Sequence, residues 1–230
     1  MLVGALHAGI FRRMAQKSDF VRFRTFLMFG APGSGKGTQG KVLGSIPRFH
    51  HMACGDVFRS LDTRTDLGQE FVTYSSRGQL VPDEVTVKLW RANIHDQVKT
   101  HQFKPDIDFL VLDGIPRNVE QAKFMEEDID VIQVFHLSCP DRDELARRLR
   151  KRAIKENRFD DANEEVIQRR IKTYEQESKP ILDYYSEGKY EGRSMVCDVD
   201  AGDPPLKVFH NITSRIMDLE AWKQVAYLRV

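Results

Sequence analysis

Three cysteines in 230 residues, Cys54, Cys139 and Cys197, are too few and too far apart for a disulfide framework, and no Cys-x-x-Cys pair offers a zinc site. A reducing compartment, and with it the cytoplasm, is the expectation. No apolar run reaches the roughly 18 residues that cross a membrane as a helix, so no helical span is expected. An excess of one charge sign is also missing: 35 lysines and arginines stand against 34 aspartates and glutamates, a formal charge of +1. Nothing global therefore draws the chain to nucleic acid or to a membrane surface. The imbalance that exists is confined to residues 1–24, where Arg12, Arg13, Lys17, Arg22 and Arg24 face the single acid Asp19. That segment reads either as an organelle-targeting peptide or as a plain basic extension; its short apolar stretch, interrupted by His7, is too weak for a secretory signal. The length suffices for one substantial core, giving an expected organisation of a basic extension over 1–24, one main domain over 25–222 and a tail over 223–230.

Glycine is concentrated in one place. Residues 30–39 read Gly30-Ala31-Pro32-Gly33-Ser34-Gly35-Lys36-Gly37-Thr38-Gln39 and follow the apolar run Phe26-Leu27-Met28-Phe29, the spacing of a phosphate-binding loop between a buried strand and a helix. Glycines admit backbone conformations closed to residues with a Cβ. Successive N–H groups from Gly33 to Thr38 can then converge on one phosphate, with the positive end of the next helix behind them. Lys36 reaches the β and γ oxygens, and the Thr38 hydroxyl ligates Mg2+ or its water shell. The alternative, an ordinary tight turn, does not require that full spacing.

The remaining pattern alternates strands and helices. A first strand is expected over 25–29, short helices over 56–61 and 67–76, and a longer helix opened by Pro82-Asp83-Glu84 and running to Val98, with Val85, Leu89, Ala92 and Ile94 as its buried stripe. The apolar runs 109–113, ending in Asp113, and 131–137 are short enough for buried parallel strands. Helices over 144–155 and 164–185, a strand over 194–199 and a final helix over 205–222 complete the chain. Strands separated by helices give a three-layer α/β fold with a central parallel sheet and ligands at the carboxyl ends of the strands. The helical stretch at about 53–82 is long enough to project as a substrate-binding region, and about 153–163 is a candidate short lid.

Beyond the loop, the chain carries His51-Met52-Ala53-Cys54-Gly55-Asp56-Val57-Phe58-Arg59, Gly78-Gln79-Leu80-Val81-Pro82-Asp83 and Leu112-Asp113-Gly114-Ile115-Pro116-Arg117-Asn118-Val119-Glu120-Gln121. It continues with Arg148 and Arg152, Asn157-Arg158-Phe159-Asp160-Asp161, and Arg169-Arg170-Ile171-Lys172-Thr173-Tyr174. In this order, over about 26–216, these motifs resemble adenylate kinase and its nucleoside-monophosphate kinase relatives. The resemblance implies a P-loop nucleoside-triphosphate-hydrolase-like fold with a helical monophosphate-binding region and a short lid. It also implies reversible phosphoryl transfer from a nucleoside triphosphate, normally ATP with Mg2+, to a nucleoside monophosphate.

The same resemblance distributes roles. Lys36, Arg117, Arg152, Arg158 and Arg170 surround the reacting phosphates. Gly33, Ser34, Gly35, Lys36, Gly37 and Thr38 hold ATP together with Arg148 and Arg152. Cys54, Arg59, Val81, Gly114, Arg117, Gln121, Arg158 and Arg170 form the AMP side, and Thr38 and Asp113 approach Mg2+ through water. The arginines suit this work because a guanidinium fork binds phosphoryl oxygens while its charge offsets the repulsion between two polyanions. Gln121 either pairs with the base of the monophosphate or caps and cross-links helices. Uridylate/cytidylate kinases carry Asn-x-x-Asp-Asn after this arginine, whereas here the run is Asn118-Val119-Glu120-Gln121. Cys54 stands where adenylate kinases often have threonine: a tolerated pocket substitution, a change of acceptor preference or a buried structural cysteine. Arg147 and Lys151 have no matching role and read as surface charge; Asp160 and Asp161 either hold the lid arginines or mark an acidic helix entrance. The expected partners are ATP and AMP alone, with no nucleic acid, no membrane, no zinc, and a monomer as the working unit. The rivals are a uridylate/cytidylate kinase and a nucleotide-binding scaffold that has lost catalysis.

Overall fold

The computed structural model describes residues 22–156, 161 and 163–226. Its strands, in chain order, are β1 (Phe23–Phe29), β2 (Phe49–Ala53), β3 (Phe109–Asp113), β4 (Ile129–Ser138), the short antiparallel hairpin β5 (Lys189–Tyr190) with β6 (Arg193–Ser194), and β7 (Val196–Asp200). All but the hairpin form one parallel sheet in the order β2-β3-β1-β4-β7. The helices are α1 (Lys36–Gly44), α2 (Cys54–Arg59), α3 (Asp66–Ser76), α4 (Asp83–Lys99), α5 (Val119–Met125), α6 (Arg142–Glu156), α7 (Glu164–Thr173), α8 (Ile181–Ser186), α9 (Pro205–Met217) and α10 (Glu220–Ala226). No helix among the described residues is long and apolar enough to cross a membrane.

The central strands read as continuous apolar runs because both of their faces are covered. On one face Phe23, Leu27 and Phe29 of β1 and Leu110 and Leu112 of β3 pack with Trp90 and Ile94 of α4, Met125 of α5 and Ile181 of α8. On the other, Phe26 and Met28 with Phe109 and Val111 meet Leu43 of α1 and Val208, Ile212 and Ile216 of α9. Those two faces make the three expected layers. A third cluster joins Leu145, Ala146 and Leu149 of α6 to Ile167 and Ile171 of α7 against Ala31, so the last two cleft helices are anchored on the glycine loop. Phe26, with no exposed surface, lies among the rings of Phe109, Phe135 and Phe49 at 5.3, 5.9 and 6.1 Å. Trp222 of α10 closes this layer by stacking on Phe49 at 5.1 Å.

Four elements differ from the sequence expectation, the first being the strand expected over 194–199, which is β7 (Val196–Asp200) with Ser194 belonging instead to the hairpin strand β6. β2 has no counterpart among the expected strands, because Phe49-His50-His51-Met52-Ala53 lacks strand-like alternation. Its histidines are accommodated by distant partners, His50 pairing with Gln97 and stacking on Phe103 at 5.0 Å. His51 fits against α1 because Gly40 carries no Cβ to collide with its ring and Gly44 none to collide with its own Cβ. The single helix expected over 164–185 is instead α7, a π turn (Tyr174–Ser178) and α8. Lys179 N–H donates to Tyr174 O, five residues back, at 2.8 Å, just before Pro180, which has no N–H to continue an α ladder. The helix expected over 205–222 is α9 and α10, so the boundary placed at residue 222 falls inside α10. The Glu191 carboxylate accepts the first N–H groups of α10, from Glu220 at 2.9 Å and Ala221 at 3.0 Å, and so fixes where that helix begins.

Phe26→Ala removes the ring on which both aromatic neighbours in adjacent strands rest, and is expected to cost about 3–5 kcal/mol of unfolding free energy. Urea denaturation of the purified variant measures this; a loss below about 1 kcal/mol would show that the aromatic layer does not depend on Phe26.

Candidate active site

β1 delivers the glycine loop to the carboxyl end of the sheet, between β3 and β4, where the strand order places the crevice. The loop is pressed against β4: a Cβ on Gly30 would lie 2.5 Å from Leu137 O. Gly35 has open space around it, but its φ of +100° lies in the left-handed region, and this turn releases the chain into α1 with no side chain capping the helix. The first-turn residues Lys36, Gly37 and Thr38 line a cleft of about 730 Å³, and Ser34 Oγ is buried beside them without a hydrogen-bond partner among the described residues. An uncapped helix start with an orphaned hydroxyl next to it is a fitting receptacle for phosphate. Lys36 Nζ folds back over the loop and donates to Gly30 O at 2.8 Å and Ala31 O at 3.1 Å. Removal from water lowers its pKa to about 8; Asp113 opposes that shift, and Arg152, Arg117 and Arg170 add to it.

Asp113 ends β3, in register with Met28 of β1 and Ala53 of β2. A Cβ on Gly37 would sit 3.3 Å from Asp113 Oδ2, which places this carboxylate over the first turn of α1, next to Thr38. Past Asp113 the chain turns through Gly114, at φ +80°, and Arg117 Nε donates to Gly114 O at 2.8 Å. Arg117 faces the cleft together with Arg59, whose guanidinium pairs with Asp56, and with Val81. Gln121 also lines this wall while having no exposed surface. Its Oε1 accepts the Arg117 N–H at 2.7 Å and its Nε2 donates to Asp83 Oδ1 at 2.7 Å. Ala53 and Gly55 line the cleft, but Cys54 between them is turned into the core beside Phe58. Burial, with Arg117 pulling the other way, pushes the Cys54 thiol up to about 11.

The opposite wall is built by α6 and α7. Arg148 donates to Ala201 O at 2.8 Å and to Glu144 at 2.6 Å. Arg152 and Arg170 clasp the fully buried carboxylate of Asp161, Arg152 through Nε at 2.7 Å and Nη2 at 2.5 Å to Oδ2, and Arg170 to Oδ1. Arg158 and Asp160 lie outside the described residues. Lys36, Thr38, Arg59, Asp113, Arg117, Gln121, Arg148, Arg152 and Arg170 thus all meet in one cleft. Arg147 and Lys151, which the sequence suggests as surface charge, also reach its rim, at a spacing of one helical turn on α6 that was there to be read.

The Ala201–Asp203–Pro205 corner adds wall residues with no prior sign in the sequence, and Tyr174, the last residue of the Arg169–Tyr174 motif, also lines the wall. The Tyr174 ring packs on Phe29 at 5.7 Å and its hydroxyl bonds His136 Nε2 at 3.1 Å, with His136 Nδ1 and Asp198 Oδ1 2.6 Å apart. Burial, then Asp198 and Glu175, pushes the Tyr174 phenol up to about 12. Among the described residues no group of three or more His, Cys, Asp or Glu is placed to hold a metal. Chemically the cleft presents two cationic walls with a loop of backbone donors and the Asp113 carboxylate between them, an arrangement able to gather two phosphate chains.

A family model described as adenylate kinase matches residues 28–190. The chain is 34% identical over 205 residues to an adenylate kinase of Cyanothece sp., covering 86% of this chain and 98% of that one. An adenylate kinase of Thermobifida fusca is 34% identical over 83% of this chain and 95% of its own length, and one of Chlamydia muridarum 33% identical over 81% and 84%. Cleft, sheet and sequence agree, and the chain belongs to the adenylate kinase family.

Proposed function

We propose that the protein catalyses Mg-ATP + AMP ⇌ 2 ADP, with ATP on the glycine loop and the α6 wall and AMP between α2, Val81 and the segment after β3. The observation that carries this is the second phosphate clamp: Arg59 and Arg117 face the cleft opposite Lys36, Arg148 and Arg152. A passive nucleotide binder or a simple hydrolase needs one such clamp, whereas transfer between two nucleotides needs both. Arg152 and Arg170 are already oriented by Asp161, so charge developing on the transferred group meets donors that need no rearrangement. Arg152 spends two of its five guanidinium N–H groups on that carboxylate. Lys36 exchanges the loop carbonyls for phosphate oxygens. No base is needed, because the attacking phosphate oxygen is already an anion. Mg2+ supplies charge neutralisation on the ATP phosphates; Thr38 and Asp113 are hard oxygen donors suited to it, and two such side chains imply that it enters with the nucleotide. One chain furnishes both clamps, which fits a monomeric working unit, and three free cysteines fit a reducing compartment.

The reading is tested by following diphosphate formation from AMP, UMP, CMP, dAMP and GMP with Mg-ATP. AMP is expected to give the highest kcat/KM, and EDTA to stop the reaction until Mg2+ is restored. Faster use of UMP or CMP would reject AMP as the acceptor, and turnover in metal-free solution would reject the role of Mg2+.

Arg117→Lys keeps one charge but loses the planar fork, and is expected to lower kcat/KM by about 30-fold to several-thousand-fold, the equivalent of roughly 2–5 kcal/mol, with thermal unfolding little changed. Near-normal turnover at all AMP concentrations in a stably folded variant would remove Arg117 from the transfer.

Lys36 gives a pH test. Its free-state pKa of about 8 must rise when polyphosphate stabilises the ammonium, so ATP binding should take up protons between about pH 8 and the ordinary lysine value of 10.5. Calorimetry at pH 8.5 in two buffers of different ionisation enthalpy is expected to show net uptake that Lys36→Met abolishes. Zero uptake or release by the unsubstituted protein contradicts the assignment.

A further inference from the structure

Gln121 is held from both ends. Its Oε1 accepts the Arg117 backbone N–H and its Nε2 donates to Asp83 Oδ1, each at 2.7 Å. Asp83 does not line the cleft; it is the first residue of α4, behind Gln121. Asn118 fixes it there, Nδ2 donating to both Asp83 oxygens at 3.0 Å, while Asn118 Oδ1 accepts the Gln121 N–H at 2.8 Å and caps α5. A primary amide has a donor end and an acceptor end of nearly equal size, so left alone it turns to suit whichever edge it meets. Here it is constrained. A carboxylate only accepts, and a backbone N–H only donates.

We propose that Asp83 is a positioning residue that sets base selectivity at the acceptor site by fixing which end of Gln121 donates and which accepts. This rests on the assignment of AMP to that wall of the cleft. With one hydrogen bond committed at each end, Gln121 retains one N–H and one lone pair for a ligand. The edge of adenine offers a ring-nitrogen acceptor beside an exocyclic amino donor. Hypoxanthine has the same size and reverses that order. An amide fixed in one orientation matches one of the two bases, and an amide free to turn matches both. Selectivity between AMP and IMP is therefore a property that Asp83 shares with the Arg117 N–H, and Asp83 is the half that a side-chain substitution can remove, whereas a carboxylate serving only the N-terminus of α4 would affect both acceptors alike.

The test is kcat/KM for AMP and for IMP, with thermal unfolding, on the full chain and on Asp83→Asn. That substitution is nearly isosteric and still offers Asn118 an acceptor, but it presents Gln121 with either a donor or an acceptor. The AMP-to-IMP ratio is expected to fall by roughly tenfold or more, as loss of a charge-assisted hydrogen bond implies. The fall should appear mainly as a raised KM for AMP, with kcat far less affected and IMP use unchanged or improved. Equal losses on both acceptors, leaving the ratio within about twofold, overturn the proposal. Should Asp83→Asn fail to fold, Asn118→Ser decides: it keeps a capping oxygen but releases Asp83. A fall in the ratio then supports the proposal, and an unchanged ratio overturns it. An unsubstituted enzyme that already uses AMP and IMP equally, or prefers UMP, refutes base reading by Gln121 itself, a failure visible before any variant is made.

Discussion

Lys36, Arg117, Arg152 and Arg170 repel one another across a single cleft, and most of the surrounding structure holds them there before any phosphate arrives. The means differ by residue. Loop carbonyls receive the Lys36 ammonium, Gly114 O receives Arg117, and one carboxylate, Asp161, is shared by Arg152 and Arg170. Asp113 opposes the repulsion, which contributes, after desolvation, to the depressed pKa of Lys36. An anion entering the cleft adds acceptors for these cations and so relieves part of that repulsion.

The walls are also joined at the rim. Arg169 of α7 donates to Arg77 O at 2.9 Å, at the end of α3, and Gly78 is packed so closely that a Cβ would meet Arg170 Cγ at 3.1 Å and Val166 O at 3.2 Å. The end of α3 and the arginine helix α7 therefore touch directly. Gln39 of α1 donates to Pro205 O at 3.0 Å and ties the helix after the glycine loop to α9. Movement of either wall must break or carry such contacts, which are few and polar and so of modest strength.

What was legible in the sequence was local. The glycine loop, Asp113 at a strand end and Arg117 just after it are set by a few consecutive residues, and the strand-helix alternation by short apolar periods. What was not legible depends on partners far along the chain. Gln121 meets Asp83 38 residues away, His136 meets Asp198 at 62, and Arg148 meets Ala201 at 53. β2 was missed because its two histidines look unsuited to a sheet until Gln97, Phe103 and the glycines of α1 are placed around them. Cys54 shows the same limit from the other side. Its neighbours face the cleft, and only the packed structure shows the thiol turned away toward Phe58.

The stacking of Trp222 on Phe49 joins the last helix to one of the earliest strands. During synthesis, β1, β2 and β3 can pair and the phosphate loop can form while that side of the aromatic layer still lacks its cover. The outer face of Phe49 stays wet until α10 emerges. A chain interrupted before residue 222 would then hold the means to grip phosphate yet display an aromatic surface, which is the kind of species that associates with its own copies or with a chaperone.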